Sequence, residues 1–80
     1  MNEEFLKAQL EDLVKDLERI VGDCGRDYNR ASAEFDRAST EDNLPVRILA
    51  AGRMQYYSGA QDAYLEARNF VATIIEKVWE

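Results

Sequence analysis

Ser39-Thr40-Glu41-Asp42-Asn43-Leu44-Pro45 is the one break in an otherwise periodic chain of 80 residues. It collects turn-forming side chains and the only proline, which disfavours helix at the residue before it. On its N-terminal side, apolar residues fall at Leu6, Leu10, Leu13, Leu17, Ile20, Cys24, Tyr28, Ala31, Phe35 and Ala38, in steps of three or four. That is the spacing of one helical face. Phe5, Val14 and Val21 widen it. Asn2 is a fair N-cap, and Glu3 and Glu4 stand where the helix dipole favours negative charge.

On the C-terminal side the stripe is Leu49, Gly52, Tyr56, Ala60, Ala63, Ala67, Phe70, Ile74 and Val78, flanked by Ile48, Tyr64, Val71, Ile75 and Trp79. The pattern predicts a single all-α domain over residues 1–80: helix 3–38, turn 39–45 and helix 46–78. So short a connection makes the helices run antiparallel as a hairpin. With the turn centred near Asp42, Gly25 falls opposite Gly59, Cys24 opposite Ala60 and Tyr28 opposite Tyr56. Leu13 and Leu17 meet Phe70 and Val71 at the open end. Gly22 and Gly25 interrupt good helix propensity at about 1 kcal/mol each relative to Ala. They mark a soft spot, a close approach of another group, or a true break.

Two rods of roughly 50 Å have too little interior between them to bury both stripes and their flanks. The expected state is therefore an antiparallel hairpin assembling into a homo-oligomeric helical bundle. A partner protein covering the apolar face is the alternative.

Composition excludes much. There is no His, so no Ser-His triad, no Cys-His pair and no imidazole metal site. One Cys makes no internal disulfide, thiolate zinc cluster or CxxC pair. The inward positions are apolar, which disfavours a carboxylate metal site. No acid pair with separated environments stands out for acid–base work. These counts argue against an enzyme, and no cofactor or metal is expected. The net charge of -6 opposes binding of long nucleic acid. No apolar run approaches a membrane span, and the acidic N-terminus is unlike a signal peptide. The expected location is cytoplasmic, with Cys24 a reduced, buried thiol.

Residues 1–42 carry twelve acids and six bases, whereas Asn43–Gln61 contains no acid but has Arg47 and Arg53. With Arg26 and Arg30 from the first helix, and Tyr28, Tyr56 and Tyr57 nearby, these make an Arg–Tyr cluster toward the turn. Arg donates a planar, permanently charged fork to phosphate, and Tyr offers a face for base stacking. The candidate ligand-binding residues are thus Arg26, Tyr28, Arg30, Arg47, Arg53, Tyr56 and Tyr57, suited to a small anionic nucleotide. The plainer reading is that Asp23–Arg26 and Asp27–Arg30 are surface ion pairs and that the tyrosines pack at an interface. Arg47 and Arg53 have no acid close in sequence to neutralise them.

The run Arg47-Ile48-Leu49-Ala50-Ala51-Gly52-Arg53, with Gly59 beyond it, resembles the helical-hairpin domain of phage cyclic-nucleotide sponges, the anti-CBASS and anti-Thoeris proteins. Arg47, Leu49, Ala50, Gly52, Arg53 and Gly59 match that family's spacing. Ile48 stands where the family has an aromatic, Tyr56-Tyr57-Ser58 replaces a more polar stretch, and the family's N-terminal stacking residues have no matching positions. The resemblance implies an oligomeric helical protein, in the host cytoplasm if phage-encoded, that sequesters cyclic nucleotide immune signals without cleaving them. The competing expectation is a small acidic inhibitor or adaptor whose helix-one face mimics nucleic acid or docks on a basic partner.

Overall fold

The computed structural model describes residues 2–80. Two long helices, α1 (Glu3–Thr40) and α2 (Leu44–Trp79), pack side by side as an antiparallel hairpin, and no strand occurs among the described residues. Asn2 caps α1, its side chain accepting the Glu4 N–H at 2.9 Å. Such a cap is worth about 1 kcal/mol.

The turn is shorter than residues 39–45. Ser39 and Thr40 remain helical, and their hydroxyls donate to the carbonyls of Phe35 (2.9 Å) and Asp36 (3.1 Å), one turn back along the same helix. Leu44 and Pro45 already belong to α2, where a first-turn proline sacrifices no intrahelical bond. Glu41, Asp42 and Asn43 alone reverse the chain. The Glu41 N–H returns to the Arg37 carbonyl at 3.0 Å and the Asn43 N–H to the Ala38 carbonyl at 2.8 Å, closing the end of α1. Asn43 then caps α2, accepting the Val46 N–H at 3.3 Å.

Asp42 takes φ 55°, the only left-handed non-glycine residue among those described. A glycine there avoids the steric cost of the Cβ. Asp42→Gly should therefore stabilise the hairpin by about 0.5–1 kcal/mol, read as a higher thermal midpoint.

α1 is unbroken at Gly22 and Gly25. A Cβ on Gly25 would come within 3.0 Å of the Gln61 side-chain nitrogen, which donates to the Val21 carbonyl at 3.3 Å. Gly25 thus gives Gln61 room to tie the two helices at mid-length.

Which faces meet differs from the stripe drawn through the sequence. In α1 the seam runs through Leu10, Val14, Leu17, Val21, Cys24, Tyr28, Ala31, Phe35 and Ala38, all half-buried or buried, with Ile20 half-buried beside it. Their alternating steps of four and three are the seam of a two-stranded antiparallel pair. Val14 therefore takes the place assigned to Leu13, Val21 joins the half-buried Ile20, and Leu13 and Leu6 stay exposed.

In α2 the face toward α1 is Ala50, Met54, Tyr57, Gln61, Arg68, Val71 and Ile75. Of the expected stripe, Leu49, Gly52, Tyr56, Ala63, Ala67, Phe70 and Val78 are exposed, whereas Ala60 and Ile74 are half-buried. Tyr56 is 71 % and Phe70 68 % exposed, so neither meets its expected partner, Tyr28 or Leu13. The reason is compositional: the inner face of α2 holds Gln61 and Arg68, and is more polar than the outer one. Gln61 bonds to α1 backbone, and Arg68 reaches Glu18 at 3.0 Å. Polar residues that find such partners can occupy a seam that periodicity assigns to apolar ones.

The hairpin measures 60 × 16 × 15 Å, with a radius of gyration of 17.9 Å. A globular chain of this length has about 12 Å. Only Leu17, Cys24, Ala31, Ala38, Ala50 and Ile75 are buried among the described residues. Toward the turn the seam is closed by alanines, Ala50 having no exposed surface, so the helices approach closely there and the larger side chains are left outside.

Candidate ligand-binding surface

The turn half of the hairpin carries two grooves with no residue in common. The first, 670 Å³, is mainly apolar and lined by Tyr28, Phe35, Ile48, Gly52, Met54 and Gln55, among others. The second, 220 Å³, is lined by Asp27, Arg30, Ala31, Glu34, Arg53 and Tyr57. Closely packed alanines account for both: Ala31 and Ala50 bring the backbones together, and the larger side chains of each helix fan out on either side.

These grooves divide the seven sequence-derived candidates. Arg30, Arg53 and Tyr57 share the smaller groove, whereas Tyr28 lines the larger one. Tyr56 stands outside both and meets the Tyr57 ring edge-on, with centroids 5.4 Å apart and planes at 75°. Arg26 lies in neither groove and pairs with Asp23. Arg47 is half-buried near the start of α2, outside both linings. The hairpin therefore does not gather all seven into one pocket.

Arg30 sits 3.7 Å from Asp27, so the i,i+3 pairs expected in α1 are present. Arg53, which has no acid near it in sequence, is also neutralised: it bonds to Glu34 of the other helix at 3.1 Å. Only the hairpin register brings that acid to it, and sequence spacing missed it. The Arg53 side chain remains 56 % exposed, and ion pairs at that exposure contribute about 0–1 kcal/mol. Two arginines, two acids and a tyrosine make the small groove electrically balanced and hydrogen-bonding in character, unlike its apolar counterpart.

No cluster of His, Cys, Asp and Glu able to hold a metal exists among the described residues, and neither helix is long and apolar enough to cross a membrane. Cys24 is buried and unpaired in the seam. No family model, curated protein or solved structure matches the chain.

Proposed function

We propose that the chain is a non-enzymatic binding protein that self-associates and sequesters small nucleotide anions, in the manner of a phage sponge for cyclic nucleotide signals. The observation that carries this reading is the convergence of Arg30, Arg53 and Tyr57, drawn from both helices, on one groove. Two guanidinium forks and an aromatic ring are the groups a phosphate and a base require. The resemblance of Arg47–Gly59 to the sponge hairpins points the same way. Ligand sites usually enclose about 300–1,000 Å³, and this groove has 220 Å³, too little for a nucleotide on one protomer alone. A second protomer laid beside it would supply the missing walls.

Cyclic di- and trinucleotides in excess should raise the thermal midpoint of the purified protein. Arg53→Ala should weaken the affinity about tenfold or more, the worth of one charge-assisted contact, while leaving helicity intact. Glu34→Gln should strengthen it, because Arg53 loses its internal competitor. A flat response across the panel, or a Glu34→Gln variant that binds no better than wild type, counts against the site.

A second reading, an acidic adaptor, rests on the distribution of charge: residues 1–42 carry all of the net -6 and residues 43–80 are neutral. Glu11, Asp12 and Asp16 are exposed on α1. Reversing their charge should abolish capture by a basic protein partner if that face docks, and should leave nucleotide binding unchanged.

A further inference from the structure

The face of α2 turned away from α1 carries Leu49, Gly52, Tyr56, Gly59, Ala63, Ala67, Phe70, Ile74 and Val78, and no acid lies on that line. Helical spacing aligns them along about 44 Å. Leu49, Tyr56, Phe70 and Val78 are among the large apolar side chains left exposed. We propose that this face docks a second copy of the chain, antiparallel, on a two-fold axis that passes through Ala63. The inference deepens the self-association half of the proposed function and is independent of its ligand.

Three observations select a second copy as the occupant. The first is area. The hairpin exposes 5992 Å², whereas a folded monomer of this mass exposes about 4,900 Å². The surplus, about 1,100 Å², is what one subunit contributes to an ordinary stable interface, about 800 Å², with some to spare.

The second is charge. All of the net -6 resides in residues 1–42, so copies of this protein repel through α1. Residues 43–80 are neutral, and two α2 helices meet without that penalty while each α1 stays outside.

The third is self-complementarity, which a two-fold interface demands of one surface. Turning the line about Ala63 lays Tyr56 on Phe70, Gly59 on Ala67 and Gly52 on Ile74 of the other copy. Small residues fall opposite one another at the centre, where the helices cross most closely, and aromatic rings face one another on both sides. Leu49 reaches the level of Val78 at the ends. Cβ atoms built on Gly52 and Gly59 meet nothing within 4 Å in the single hairpin, so neither glycine is required by the fold of one chain. At an exposed helix position each costs about 1 kcal/mol against Ala.

The test is cysteine cross-linking of the full chain with the buried native thiol removed by Cys24→Ala. Residues on a two-fold axis meet their own copies, and a disulfide requires Cα atoms within about 7 Å. Ala63→Cys should therefore form a disulfide-linked dimer rapidly under mild oxidation. Ala67→Cys alone should not, because it lies about 12 Å along the helix from its symmetry mate, but mixed with Gly59→Cys it should give the mixed dimer. Circular dichroism confirms that each variant remains helical. If Ala63→Cys cross-links no faster than a control on the outer face of α1, Asp12→Cys, the proposal is wrong. It is equally wrong if Ala67→Cys dimerises with itself as fast as Ala63→Cys does. Nucleotide binding is read separately by thermal shift, so loss of the ligand proposal and loss of this surface give different patterns.

Discussion

Leu17→Ala should cost about 2–4 kcal/mol, and Leu13→Ala less than about 1 kcal/mol. The two leucines lie one helical turn apart, and periodicity alone treats them as equivalent. In the hairpin Leu17 is 9 % exposed, set in the seam against α2, whereas Leu13 is 42 % exposed. Truncating the first leaves a cavity between the two helices. A chain of this length has only about 4–12 kcal/mol to lose. The midpoint of Leu17→Ala should fall by on the order of 10 °C or more. Thermal melts of the two variants, run at one protein concentration, decide the matter; equal losses would place the seam where the sequence stripe put it.

The second large effect is expected at side chains that a single hairpin leaves in water. Replacing an exposed residue with glutamate ordinarily changes stability by no more than about 0.5 kcal/mol. Tyr56→Glu and Phe70→Glu should behave otherwise. Both rings lie on the outward line of α2, and full burial of such a side chain is worth about 1.5–3 kcal/mol. Placing charge in a dry interface adds the penalty of desolvation. The double variant should dissociate to single chains and lose much of its helicity at concentrations where wild type is fully helical. Raising the protein concentration should restore wild type but not the variant, since assembly stabilises by mass action. Circular dichroism over a dilution series measures both.

The hairpin itself was readable from residues. Asn2, the Ser39–Pro45 break and uninterrupted three-four spacing are local signals, and local signals specify helices and their ends. The exact turn was less so: Ser39 and Thr40 continue α1 with their hydroxyls bonded back to its carbonyls, and no composition rule distinguishes that from a hydroxyl starting a loop. The facing of α2 was legible only through its flank residues Val71 and Ile75, for a deeper reason. Its more apolar side is the outer one, and its seam contains Gln61 and Arg68, whose cross-helix partners exist only once the register is set. Hydrophobicity ranks faces by their need for cover, and in this chain the face with the greater need is not covered by the chain itself. The candidate site shows the same limit. Asp23–Arg26 and Asp27–Arg30 follow from spacing, whereas Glu34–Arg53 joins residues nineteen apart and required the fold. Register also separated Tyr28 from Tyr57, placing them in different grooves.

The hairpin on this reading is an incomplete folding unit, its outer apolar line satisfied by another copy. Sedimentation velocity of the wild-type protein across the micromolar range tests this most directly. A helical species of at least twice the 9.2 kDa chain mass, dissociating only with loss of helicity, is the predicted result. A fully helical particle of one chain mass that persists on dilution would contradict it.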